Sequence, residues 1–220
     1  WLADMNIKIS AHISAIGNVT DCPEHLVAIN PEIDQISTTF PVIDATAGEK
    51  MKRVIAEAKA SGDSIGGIIE CIATGIPAGI GDPIFDGMES KIAQIIYGVP
   101  AVKGLEFGNG FYGSNIPGSQ NNDAFIISDN KIATKTNNCG GILGGITNGM
   151  PIRFQTVVKP TPSIYKKQET VNMATMENEL MQIEGRHDPA IIHRARVVVD
   201  SMTAIVIADM LAVRFGTDWL

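Results

Sequence analysis

The spacing of apolar residues changes along the chain from one regular period to another, and this change restricts the folds open to it. From Met5 to Ala15, apolar and polar residues alternate, which is typical of a half-buried β-strand. His12 falls on the polar face of this strand, where we interpret it as a bystander. From Met51 the apolar residues recur at i, i+3, i+4 and i+7, which predicts an amphipathic helix ending near Ser61. Strands and helices mix without a strict βαβ alternation, so we predict an α+β fold.

Further segments extend this pattern. The isoleucine-rich stretch Ser64–Thr74 predicts a largely buried strand, and a glycine-dense turn follows it. An apolar stripe from Met88 to Ile96 predicts a second helix. Val102–Phe107 and Ile152–Val158 read as strands. Residues 108–123, rich in Gly, Asn and Ser, are interpreted as a long surface loop.

Two helix starts and the C-terminal helix are also predicted. Thr46 with Glu49, and Asp86 with Glu89, have the spacing of capping boxes. The stretch from Ala195 to about Phe215 is apolar almost all round, which predicts a helix covered on most sides. Its most apolar part, from Val197 to Val213, is interrupted by Asp200 and Asp209 and is short for a membrane span, so we interpret it as a buried helix.

Composition excludes several functional classes. The 17 basic and 24 acidic residues give a net charge of −7 without a basic run, so nucleic acid is not expected as a partner. Cys22, Cys71 and Cys139 form no CxxC pair, which argues against a disulfide framework or a zinc site and favours a reducing cytoplasm. No metal-binding motif is present, and we predict no metal site. The chain begins at Trp1 without a signal-peptide pattern, and we expect this to be an internal cut.

Four short segments have residues suited to an anionic, planar ligand. They are Gly98–Gly104, Asn137–Gly149, Lys159–Ser163 and Gly185–Pro189. Glycines allow close backbone approach, a lysine with hydroxyl groups suits a phosphate or a polar ring edge, and Arg-His-Asp can bind an anion and move a proton. Each segment also has an ordinary structural interpretation as a turn or a polar connector, and taken singly none decides between the two.

Taken together and in order, the segments resemble the chorismate synthase family. The resemblance rests on GIPAGIGDPIFD, VPAVKGLEFGNGF, GSQNND, NNCGGILGGITNGMPI, VVKPTPSI and GRHDPAIIHRARVVVDSMTAIVIAD, and covers most of the chain from about Ser64. It implies elimination of phosphate from 5-enolpyruvylshikimate 3-phosphate with reduced FMN (FMNH2), a step of aromatic amino acid biosynthesis in the shikimate pathway. It also implies a sandwich with a helical layer between antiparallel sheets, and a cytoplasmic homotetramer.

The resemblance assigns roles to particular residues. Asp188 is implied as the group that handles a proton at the flavin. Cys139 stands where the family commonly has alanine, and we interpret it as a packing residue rather than a nucleophile. The implied flavin contacts are Pro100, Ala101, Gly144, Lys159, Pro160, Thr161, Pro162, Ser163 and Arg186.

The family's N-terminal region, with a catalytic histidine and several arginines, has no counterpart in these residues. His12, His25 and His193 do not lie in its motifs. We therefore expect residues 1–220 to be the C-terminal portion of a single chorismate synthase domain, inactive alone. The alternative is a non-catalytic module that binds flavin or forms oligomers.

Overall fold

The computed structural model describes residues 2–21, 39–128 and 130–217. It contains short 3-10 helices at Ala3–Met5 and Gly110–Asn115. The helices are α1 (Ala45–Ala60), α2 (Met88–Ile96), α3 (Gly118–Asn121) and α4 (Ile192–Phe215). The strands are β1 (Lys8–Ile16), β2 (Val19–Thr20), β3 (Gly67–Thr74), β4 (Val102–Phe107), β5 (Phe125–Ser128), β6 (Lys131–Thr134), β7 (Ile142–Leu143), β8 (Ile146–Thr147), β9 (Ile152–Val158), β10 (Gln168–Asn172) and β11 (Glu177–Met181).

One antiparallel sheet organises the described residues, with strand order β2-β1-β3-β9-β4. β3 pairs along most of its length with β1 on one side and β9 on the other. The remaining strands form three separate hairpins, β5–β6, β7–β8 and β10–β11. The predicted strands at Ser64–Thr74, Val102–Phe107 and Ile152–Val158 are confirmed, although the first begins at Gly67. The hairpins were not predicted, because they are short and mostly lack a buried face.

The two longest apolar surfaces meet on one face of this sheet. α4 lies across β1 and β3, and α2 packs between α4 and β4. The Cys71 Sγ lies 3.5 Å from the Thr203 Oγ1, and the Arg196 Nε donates to the Ala11 carbonyl at 2.7 Å. Phe154 on β9 is 1% exposed at the centre of the core. The sheet and helices therefore share one continuous apolar core.

The opposite face of the sheet buries charge, and the interpretation of His12 as a bystander was wrong. His12 is 1% exposed, with its Nδ1 3.1 Å from Asp21 Oδ2 and its Nε2 2.8 Å from Glu70 Oε2. Arg153 donates to the other oxygen of Glu70. The alternation of apolar and polar residues correctly predicted a polar face on β1. It did not predict that this polar face is buried as well. A buried charged group needs partners, and these four side chains supply them for one another.

The pKa of His12 follows from this setting. Burial alone lowers the pKa, but the carboxylates of Asp21 and Glu70 outweigh it and raise the pKa to about 9. Burial also acts to raise the pKa of Glu70, yet His12 and Arg153 hold it below its usual value. His12 is therefore a cation at neutral pH.

Both predicted capping boxes were wrong. α1 begins after Asp44, whose side chain accepts a hydrogen bond from the Thr46 N–H at 2.7 Å. α2 begins after Gly87, which has no side chain to cap it. The helix positions were nevertheless correct, because the apolar stripes and not the caps locate them.

Two surface features also differ from expectation. Residues 108–123 contain a 3-10 helix and the short helix α3 rather than only loop. α4 begins at Ile192, and it is not covered on most sides within the described residues, since Val197, Ile205 and Val213 are more than half exposed.

The buried charges predict that the free energy of unfolding falls at alkaline pH. A pKa raised from 6.5 to about 9 contributes stability that is complete below about pH 6.5 and is lost as pH rises through about 9. The contribution is on the order of 3 kcal/mol. Urea unfolding across this range should show the loss as a difference between the parent and His12→Gln. The matched variant His193→Gln, at an exposed position of α4, should keep the parent's pH profile. An unchanged profile in His12→Gln would refute the assignment.

Candidate functional site

The first predicted contact lies in the turn that leads into β4. Pro100 and Ala101 are the central residues of a turn closed by the Val102 N–H and the Val99 carbonyl at 3.3 Å. Ala101 has φ 72°, so the turn is of the type that places proline second and a left-handed residue third. An alanine in this conformation is strained, and such strain concentrates at ligand sites. The Ala101 carbonyl accepts a hydrogen bond from the Lys159 N–H at 2.9 Å, whereas the Ala101 N–H has no hydrogen-bond partner among the described residues.

That hydrogen bond places the second predicted segment directly beside the turn. Lys159–Ser163 continues from the end of β9, and the Ser64 Oγ donates to the Thr161 carbonyl at 2.6 Å. The Thr161 Oγ1 is buried and has no hydrogen-bond partner within the described residues. Lys159 is exposed, and no described carboxylate pairs with it. The Thr161 hydroxyl, the Ala101 N–H and the Lys159 ammonium group therefore lie at one end of the sheet, where β9 stops and β4 starts.

The Gly185–Pro189 segment lies at the same end of the sheet, where Ile65 and Tyr165 contact it. The Ile65 N–H donates to the Pro189 carbonyl at 2.8 Å. The Tyr165 hydroxyl donates to the Gly185 carbonyl at 2.7 Å, and its ring meets the His187 ring edge-on at 4.7 Å. Residues 64–65 and Tyr165 thus contact both Lys159–Ser163 and Gly185–Pro189, which are far apart in sequence.

Within this segment the three functional side chains have different surroundings. The Arg194 guanidinium, in the first turn of α4, donates to the Asp188 Oδ2. One carboxylate oxygen of Asp188 is therefore fixed, and the other stays available. Arg186 is exposed and makes no ion pair with the described residues. His187 contacts the Ile183 carbonyl at 3.1 Å through its Nε2.

Gly144 lies at the other end of β4 from these segments. It occupies the turn between β7 and β8, and it lines a cleft together with Phe107, the last residue of β4. Val102, the first residue of β4, pairs with Val158 next to Lys159. Five residues of extended strand separate the two ends by roughly 17 Å. The structure therefore places the Pro100–Ala101 turn beside Lys159 and holds Gly185–Pro189 at the same end of the sheet, whereas Gly144 lies near the opposite end of β4.

A carboxylate clamp fixes the turn that precedes the glycines. The Asp123 Oδ1 accepts from the Thr136 hydroxyl at 2.6 Å and from the Asn138 N–H at 2.7 Å, and its Oδ2 accepts from the Cys139 N–H at 2.9 Å. Burial and the Asp123 charge raise the pKa of the Cys139 thiol. A thiol kept protonated is a poor nucleophile, which agrees with the interpretation of Cys139 as a packing residue.

The predicted residues suit a flavin mononucleotide at both places. At the β9 end, the unpaired Thr161 hydroxyl, the Ala101 N–H and the cations Lys159 and Arg186 offer donors to an anionic or carbonyl-bearing group. At the glycine turn, a Cβ on Gly144 would meet nothing within 4 Å, so the backbone there is open to a ligand. Sequence reasoning missed Arg194, although its position just after the GRHDP motif was a usable signal.

Two classes of site find no support in the described residues. They include no group of three or more His, Cys, Asp or Glu side chains arranged to hold a metal ion. None of their helices combines the length and the apolar character needed to cross a bilayer.

The comparisons with known proteins agree on one family. The chorismate synthase family model matches residues 1–212. The chain is 45% identical over 216 residues to a chorismate synthase of Dehalococcoides mccartyi strain BAV1, covering 98% of the chain and 58% of that protein. It is 44% identical over 208 residues to that of Methanobrevibacter smithii, covering 94% and 57%. A crystal structure of a chorismate synthase superposes with a TM-score of 0.81 at 30% identity, covering 99% of the chain and 60% of that structure.

The two glycine positions predict contrasting effects of an added methyl group. In Gly141→Ala the Cβ would lie 2.4 Å from the Pro151 carbonyl oxygen at φ 81°, whereas in Gly144→Ala it would meet only open space at φ 59°. We expect Gly141→Ala to cost at least about 3 kcal/mol and Gly144→Ala about 1 kcal/mol, the latter from backbone strain alone. Thermal unfolding followed by circular dichroism measures both. Equal losses would contradict the described packing of the turn.

Proposed function

The chain belongs to the chorismate synthase family, and we propose that a full-length protein containing it converts 5-enolpyruvylshikimate 3-phosphate to chorismate and phosphate. The chain spans about 58% of the length of the curated relatives it matches, so the activity is assigned to the whole protein. The observation that supports the proposal best is that Lys159–Ser163 and Gly185–Pro189 lie at the same end of the sheet. We further propose that residues 1–220 form part of one domain, because a single core joins β1 to α4.

The proposed reaction is a 1,4-anti elimination without net oxidation. The C–O bond to phosphate and one C–H bond break, a carbon–carbon double bond forms, and phosphate and a proton leave. Reduced FMN, when bound, would supply an electron transiently and recover it. The residues of this chain bind and orient the two ligands, and they handle the proton.

Each side chain at the β9 end has a proposed part in that work. Lys159 and Arg186 attract anionic groups, since neither cation is neutralised by a described carboxylate. Thr161 and the Ala101 N–H offer hydrogen bonds to a polar edge of the cofactor. The free oxygen of Asp188 accepts or passes on a proton, while Arg194 holds the carboxylate in one orientation.

The assembly and location are proposed on the same basis. Large apolar side chains are exposed on both of the outlying hairpins, among them Phe125, Ile127 and Ile132 on β5–β6 and Met173 and Leu180 on β10–β11. Exposed apolar surface of this kind marks contact with other protein, which supports the homotetramer of the family. A cytoplasmic location follows from the pathway to which the reaction belongs.

Anaerobic turnover tests the proposed function. The full-length protein, supplied with reduced FMN and 5-enolpyruvylshikimate 3-phosphate, should release phosphate and form chorismate in equal amounts. Omission of the flavin should abolish both products. Flavin binding without phosphate release would favour the non-catalytic module, and absence of both would overturn the proposal.

A double-mutant cycle tests the roles of Asp188 and Arg194. Asp188→Asn should lower kcat by about 10²–10⁴-fold, because proton transfer by a positioned carboxylate contributes a factor of that size. Arg194→Gln should lower it less, since the carboxylate remains but loses its orientation. If Arg194 acts through Asp188, the double variant will be no slower than Asp188→Asn.

The control for this cycle is Glu49→Gln, which removes a carboxylate from another exposed ion pair, with Lys52 on α1. It should leave kcat and KM at the parent values. Additive losses in the double variant would show that Arg194 acts independently of Asp188.

A further inference from the structure

Tyr165 lies outside the six sequence blocks on which the family resemblance rests, directly after VVKPTPSI. Its backbone is nevertheless fixed at both polar groups. The Tyr165 N–H donates to the Gly62 carbonyl at 3.0 Å, and the Tyr165 carbonyl accepts from the Gln182 Nε2 at 2.7 Å. Because Tyr165 and Gln182 lie on either side of β10–β11, the second bond closes the base of that hairpin. The side chain of Tyr165 therefore starts from a fixed place.

That side chain contacts the Gly185–Pro189 segment at two positions. The hydroxyl donates to the Gly185 carbonyl at 2.7 Å. The ring meets the His187 ring edge-on, with 4.7 Å between the centroids, which is a favourable geometry for an aromatic pair. Gly185 and His187 are the two neighbours of Arg186 in the chain. Tyr165 thus contacts the residue before Arg186 and the residue after it.

The start of the segment needs such a contact because its backbone is intrinsically mobile. Gly185 has φ 138°, a conformation that residues with a side chain rarely adopt. Glycine has more backbone conformations open to it than any other residue, so fixing its peptide plane requires a specific partner. Among the described residues, the hydroxyl of Tyr165 is the hydrogen-bond partner of the Gly185 backbone.

The end of the segment is held by other groups. The Arg194 guanidinium donates to the Asp188 carboxylate, and the Pro189 carbonyl accepts from the Ile65 N–H at 2.8 Å. Arg186 lies between the two ends, where it is exposed and makes no ion pair or side-chain hydrogen bond with the described residues. The place of its guanidinium therefore depends on the backbone on either side of it.

We infer that Tyr165 is a positioning residue of the flavin site, which fixes the backbone around Arg186 and so places the guanidinium for an anionic or carbonyl-bearing group of the cofactor. This inference rests on the proposed function, since it assigns a support to one of the proposed flavin contacts. Asp188 is oriented by Arg194 and not by Tyr165. Loss of the Tyr165 contacts should consequently weaken flavin binding without slowing the proton step.

A split between binding and turnover tests the inference on the full-length protein. Tyr165→Phe removes the hydroxyl and keeps the ring. It should raise the Kd for reduced FMN about 3- to 10-fold, the range expected for one neutral hydrogen bond, in anaerobic equilibrium dialysis. The kcat at saturating reduced FMN should stay at the parent value. Tyr165→Ala should raise the Kd further, because the contact with His187 is lost as well.

A double-mutant cycle shows whether Tyr165 acts through Arg186. In the Arg186→Gln background, Tyr165→Phe should raise the Kd for reduced FMN no further. The matched control is Tyr112→Phe, which removes the hydroxyl of another exposed tyrosine that has no hydrogen-bond partner for it among the described residues. This control should keep the parent's Kd, kcat and thermal midpoint.

Three outcomes would overturn the positioning role. They are an unchanged Kd in both Tyr165 variants, additive losses in the double variant, and a fall in kcat as large as the loss of affinity. A parent protein that binds no reduced FMN would instead refute the proposed function, and the inference with it.

Discussion

The pairing of β9 with strands on both sides is the constraint on which the rest of the structure depends. β3 fixes one edge of β9 and β4 fixes the other, with Phe154 opposite Cys71 and Phe107. Because the register is set on both edges, the residues before and after β9 leave the sheet at fixed places. One end delivers Lys159 to the turn at Ala101, and the other carries the glycine turns to the far end of β4.

The buried charges on the second face of the sheet reinforce that register. His12, Glu70 and Gln155 stand opposite one another across three strands. A slip of one residue would turn these side chains into the apolar core, where no partner could satisfy them. Buried ion pairs add little net stability compared with apolar packing, but they penalise alternative pairings strongly. The face that lacks the main apolar core thus contributes specificity of strand alignment.

The two ends of β4 and β9 present opposite chemistry. Lys159 and Arg186 place positive charge at the Lys159 end, whereas Glu89 places a carboxylate in the cleft near the other end.

The sequence by itself determined where the principal strands and helices lie, and it singled out the segments that are candidates for the site. Period-2 and period-3.6 spacing located β1, β9, α1 and α2, because the spacing directly reflects which side of an element packs on apolar neighbours. It could not reveal what covers the opposite side, so the burial of His12 became evident only in the tertiary structure. The partnership of Asp188 with Arg194 likewise became evident only in the tertiary structure. Contacts between side chains of distant elements depend on how those elements pack, and the local pattern of residues does not encode that packing.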